Sequence, residues 1–167
     1  SVLSYEVSSS PLLNPVSSDN AGHSWTTSDL EGTADWVDIE ADATVVNFLD
    51  NDSANGTVSL GFDFPMYGES YSQCSINPNG WIGFGGDSDA WNNETIPNAS
   101  IPGPALFPFW DDLNPVNDGN SSDMAGTVYY YGSPDMFVVT FDQVAHWVGG
   151  GSTTGTYTFQ VVMYPDG

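Results

Sequence analysis

Residues 57–86 read "TVSLGFDFPMYGESYSQCSINPNGWIGFGG", and this run limits what the chain can become more than any other. Val58, Leu60, Phe62 and Phe64 fall on every second position, the period at which a strand turns one face toward a core. Cys74 and Ile76 begin a further strand, and Asn77-Pro78-Asn79-Gly80 supplies the turn that reverses the chain into Trp81-Ile82-Gly83-Phe84-Gly85. Gly80 is the residue free to take the positive φ such a turn needs. Two strands and a hairpin follow from local chemistry alone.

The same spacing recurs along the chain. Strand-like pieces run from Trp36 to Ile39 and from Thr44 to Phe48. Thr127 to Tyr131, Met136 to Trp147 and Gly155 to Tyr164 read as an antiparallel meander, joined by "GSPD" and "VGGGSTTG". No segment has the period of a long amphipathic helix. Six Trp, eight Tyr and nine Phe need more cover than one open sheet provides, so two sheets must face each other. The expected fold is all-β, an antiparallel β-sandwich of jelly-roll or Ig-like kind. Ahead of it, Leu3, Tyr5 and Val7 alternate with polar residues in a short strand, followed by the linker-like "SSSPLLNPVSSDNAG". The expected organisation is an N-terminal strand and linker at 1–21, then a β-sandwich domain at 22–167.

Charge narrows the function. The chain has 22 Asp and Glu with no Lys or Arg, a formal charge of −22. Without cationic side chains it cannot neutralise phosphates, which argues against nucleic acid and anionic membrane surfaces as partners. No apolar run is long enough to span a bilayer, so no membrane insertion is expected. The carboxylates need water, hydrogen bonds, salt or metal cations, which suits an exterior rich in salt or calcium. Three acidic loops offer hard oxygen ligands: Asp50 and Asp52; Asp87 and Asp89, with Glu94 nearby; and Asp111, Asp112, Asp118 and Asp123. None fits the EF-hand spacing, but Ca²⁺ is the cofactor this chemistry would take. No other cofactor is expected.

Catalytic resources are few. The histidines are His23 and His146, each beside or near a tryptophan, and packed rings are expected for both. Cys74 is the lone cysteine, read as a buried thiol that forms no internal disulfide. The nearest string to a nucleophile elbow, "GDSDA" at 86–90, lacks the second glycine. No spacing among the acids singles out a glycosidase pair. An enzyme is not expected. Five sequons, at Asn51, Asn55, Asn93, Asn98 and Asn120, would be glycan acceptors if the source glycosylates its surface proteins.

Several stretches together resemble a β-sandwich module found in secreted and cell-surface bacterial proteins, often beside subtilisin-like peptidases or in adhesin-like arrays. They are "GHSWTTSD" with "WVDIE", "LGFDFPMYGESY", "NGWIGFG", "IPNASIPGPALFPFWDDLNP" and "YTFQVVMYPDG", spanning roughly residues 22–167. The resemblance implies a non-catalytic, extracellular structural, adhesive or accessory role, and it carries no catalytic residues over. Two functions fit it. One is a structural or adhesive subunit that associates with itself. The other is a glycan- or protein-binding accessory domain of a secreted enzyme, with an exposed aromatic such as Trp91 or Trp147 as a stacking platform.

In the family pattern, the closing Tyr-Pro-Asp-Gly is followed by another strand of the type D-I-x-F-x-Y, whereas this sequence stops at Gly167. Thr158 to Tyr164, with Phe159, Val161 and Met163 on its apolar face, is therefore expected to lack the partner its turn promises. Leu3, Tyr5 and Val7 are the candidate donor strand for that place, given to a neighbouring subunit so that head-to-tail repetition builds a filament. The same segment folding back within its own chain, or a natural chain continuing past Gly167, would serve as well.

Overall fold

The computed structural model describes residues 17–18, 24–25, 36–115, 125–147 and 155–167. The chain divides into two compact units, Ser1–Trp36 and Val37–Gly167. In the first, β1 (Ser17–Ser18) pairs antiparallel with β2 (Ser24–Trp25), Ser17 opposite Trp25 and Ser18 opposite Ser24. β1 falls inside the stretch expected to be a linker. The proposed donor residues Leu3, Tyr5 and Val7, with His23, lie outside the described residues.

The second unit is a sandwich of two antiparallel sheets, with no helix among its described residues. Its strands are β3 (Thr44–Val45), β4 (Val58–Met66), β5 (Glu69–Asn77), β6 (Trp81–Gly83), β7 (Ala105–Leu106), β8 (Leu113–Asn114), β9 (Thr127–Gly132), β10 (Phe137–His146) and β11 (Thr156–Met163). One sheet has the order β4-β5-β6-β7; the other runs β11-β10-β9-β3, with β8 also pairing β10. The expected meander is present: Phe137 to Asp142 pairs with β9, and Phe137 to Ala145 pairs with β11 across a bulge between Phe141 and Val144. Gln143 takes φ 51° there, and its N–H turns to the Thr158 hydroxyl at 2.9 Å.

Alternation along the strands explains the core. Leu60, Phe64, Cys74, Ile76 and Ile82 from one sheet meet Val128, Phe137, Val139, Phe141 and Met163 from the other in a single buried cluster. Phe141 stacks on Phe159 with centroids 4.5 Å apart, and Phe64 on Phe84 at 5.3 Å. Each fully buried side chain of this size adds about 1.5–3 kcal/mol. Val138 and Thr140, on the opposite face of β10, are also fully buried, so that strand runs covered on both sides.

Two local features depart from the sequence expectation. Trp36 to Ile39 forms no ladder; Val37 is held instead by a side chain, its N–H and C=O bonded to the amide of Gln160. An apolar alternation is necessary for a strand but does not provide a neighbour. β4 and β5 are joined at Tyr67 and Gly68, both at positive φ (51° and 85°), a two-residue hairpin that starts β5 well before Cys74. The turn at Gly80 is as expected: φ is 79°, and a Cβ there would lie 2.0 Å from the Phe109 carbonyl oxygen.

Candidate functional site

The turn that begins β6 carries more than a change of direction. Asn77 and Asn79 are fully buried, and their side-chain amides gather loops from three parts of the chain. Asn77 Nδ2 donates to Asp52 O (2.7 Å), Asp87 Oδ1 (3.0 Å) and Ser88 O (3.0 Å), while its Oδ1 accepts the Asn79 N–H at 2.9 Å. Asn79 Nδ2 reaches Asp52 Oδ1 at 3.2 Å, and its Oδ1 accepts the N–H of Leu113 at 2.9 Å. Asp87 Oδ2 takes the Ala54 N–H at 2.8 Å, and Asp111 N donates to Asn79 O at 3.2 Å. The three acidic loops read separately in the sequence thus meet around two buried amides. Those asparagines were legible as turn residues only; their partners in the three loops lie between 10 and 34 positions away.

The carboxylates of this rim respond to burial and to one another. Burial pushes the Asp112 carboxyl up to about 6, the charge of Asp52 adds to the rise, and His146 opposes it. Asp52 and Asp87 are also raised, first by burial; the Asn79 and Asn77 amides pull them back, and the neighbouring Asp50 pushes them further up. His146 Nε2 sits 3.4 Å from Asp111 Oδ1 at the edge of the rim. Asp112 therefore keeps its proton to a higher pH than an ordinary carboxyl does, and Asp52 and Asp87 shift in the same direction. Among the described residues, no three or more His, Cys, Asp or Glu side chains are gathered closely enough to hold a metal ion as they stand. Asp118 and Asp123 lie outside the described residues.

The other expected residues are dispersed. Cys74 is 1 % exposed and burial pushes its thiol up to about 12, which removes it as a thiolate nucleophile. Trp91 is exposed while Trp147 is only partly so. Asn55 and Asn93 are exposed in loops; Asn98 has its Nδ2 on Glu94 Oε2 at 2.7 Å, Asn51 is partly buried, and Asn120 lies outside the described residues. Phe159 and Val161 are partly buried against the core and Met163 is buried. Within Thr158 to Tyr164, Phe159 to Met163 are paired along one edge to β10, and the ladder breaks at the bulge beside Thr158. The other edge of β11 ends the sheet among the described residues.

Fold and rim together define an all-β module organised by a polar network. The chain belongs to the NIDO-related family, whose model matches residues 25–167, nearly the same span that carries the resemblance noted above. NIDO-related domains are typically extracellular, and the family is not a known enzymatic one. No solved structure matches the chain.

Proposed function

We propose that this chain is a non-catalytic structural or adhesive module of an extracellular surface, and that its copies join by β-strand addition along the free edge of β11. The observation that carries this reading is the position of β11 at the end of its sheet. Among the described residues its backbone is paired on one side only, and Phe159 and Val161 beneath it are only partly covered. Such an edge is a template for another strand, and main-chain hydrogen bonds plus alternate side-chain pockets give the contact its affinity and register. Residues 2–8, with Leu3, Tyr5 and Val7 on one face, are the occupant. A head-to-tail contact of this kind does not close and extends into a filament.

The test is assembly of the chain with and without residues 1–21, followed by negative-stain microscopy and analytical ultracentrifugation. A Tyr5→Cys, Val161→Cys pair in a Cys74→Ser background should give intermolecular disulfides. Assembly unchanged by the deletion, or a full chain that stays monomeric at high concentration, overturns the mechanism. Panels of ester, peptide and glycan substrates should show no turnover.

A further inference from the structure

The connection from Gly83 to Ala105 is longer than the roughly 12–15 residues beyond which irregular connections are usually functional. It is not loose packing material. Beneath it lies a second apolar cluster, separate from the main core, in which Trp81, Ile101 and Trp110 are buried and Phe107 packs between the rings. The indole N–H groups of Trp81 and Trp110 both donate to one acceptor, the carbonyl of Ala90, at 3.3 and 3.0 Å. The backbone is thereby pinned at the residue preceding Trp91, whose own N–H is bonded to Asp89 O at 3.0 Å. Trp91, so anchored, leaves 47 % of its surface in solvent.

Trp91 borders a depression of about 290 Å³, with Asp89, Glu94, Asn98 and Ser100 around it and Trp110 contributing to the lining. That volume is at the small end of the range for small-molecule sites. Its polar wall is set before any ligand arrives: Asn98 Nδ2 donates to Glu94 Oε2 at 2.7 Å, and Asn98 Oδ1 accepts the Ser100 N–H at 2.8 Å. A half-exposed indole lining a depression beside fixed carboxylate and amide oxygens suits a ring with an apolar C–H face and a hydroxyl rim. The chain holds no Lys or Arg, so an anionic sugar would meet only repulsion.

We propose that this depression is a saccharide subsite, with Trp91 as the stacking platform and Asp89, Glu94 and Asn98 as hydroxyl partners, selective for uncharged or amine-bearing pyranoses. It does not depend on strand addition at β11, and the two are read by different experiments. Cellotetraose, N-acetylated chitotetraose and chitosan tetraose, with tetragalacturonate as the anionic control, are titrated calorimetrically into the full chain. At least one of the first three should bind, and tetragalacturonate should not. Trp91→Ala should weaken binding at least tenfold, and Glu94→Gln should weaken it while leaving the thermal melt unchanged. Trp36→Ala, which removes another exposed indole, should bind as the parent does. Absence of binding by all three probes, preferred binding of tetragalacturonate, or binding that survives both Trp91→Ala and Glu94→Gln overturns the assignment.

Discussion

The side chain of Gln160 pairs with the backbone of Val37 as a strand would: Oε1 accepts the Val37 N–H at 3.0 Å and Nε2 donates to the Val37 carbonyl at 2.8 Å. The same Nε2 bonds the Thr140 hydroxyl at 2.9 Å, so one amide ties the incoming chain to the middle of β10. Gln160→Leu should keep the sandwich but release residues 36–40, at a cost of about 1–3 kcal/mol in denaturant unfolding. Unchanged stability, with protected Val37 amide exchange, would mean that something else holds the segment.

Asn77→Ala should be among the most damaging single changes, because it strips three acceptors of their donor and leaves the partly buried Asp87 carboxylate short of a partner. A loss of roughly 3 kcal/mol or more is expected. Asn77→Asp should be worse at pH 8 than at pH 5, since it places a second carboxylate against Asp87. Chemical melts at the two pH values decide the point.

Acidification from neutrality should stabilise the fold. Asp112 is raised to about 6 by burial, and Asp52 and Asp87 are raised in the same direction. A carboxyl with a higher pKa folded than unfolded binds more protons in the native state between those two values, so unfolding free energy increases as pH falls through that window. The contribution is complete below the ordinary carboxylate value and is lost as pH rises through about 6. A Tm higher at pH 5 than at pH 7.5 by several degrees is expected, and Asp112→Asn should flatten the difference. A melt that falls on acidification between these values contradicts the assignment.

We propose that Ca²⁺ draws the acidic loops of Asp50, Asp52, Asp87, Asp89, Asp111 and Asp112 closer together than they stand, so that calcium raises the Tm relative to EDTA at fixed ionic strength. Half-saturation is expected at about 0.1–1 mM, the range of extracellular Ca²⁺ modules. Identical melts would leave only general screening by salt.

Gly80→Ala should unfold the chain or cost well over 3 kcal/mol, because it combines a φ of 79° with a Cβ placed 2.0 Å from the Phe109 oxygen. Gly68→Ala, with φ 85° but open space around it, should cost about 1 kcal/mol. If the two prove equal under denaturant, the close approach at Phe109 is not what fixes the glycine.

These glycines mark where sequence and structure part company. The Gly80 turn was readable because its chemistry is local, with amides, a proline and a glycine in consecutive positions. The Tyr67-Gly68 hairpin was not, since Tyr67 continues an apolar run and its positive φ comes from the two flanking strands closing on it. Residues 36–39 alternate like a strand, yet what holds them is a glutamine 123 positions away. Each acidic loop could be seen singly, whereas their meeting depends on Asn77 and Asn79 turning inward, and an amide's direction is set by the sheet it stands on. The Trp91 depression was visible only as one aromatic residue; the indoles of Trp81 and Trp110 that fix it come from other strands and crossings.

Cys74 is the chain's one cysteine, opposite Val58 in the ladder between β4 and β5, and it is 1 % exposed. A water-borne thiol reagent can reach its sulfur only when those strands part and the two sheets separate. The molecule thus carries its own clock: the labelling rate counts openings of the sandwich in the native protein, with no engineered reporter and no denaturant. Because no other thiol competes for the reagent, a single mass-spectrometric time course would report how long each molecule remains shut.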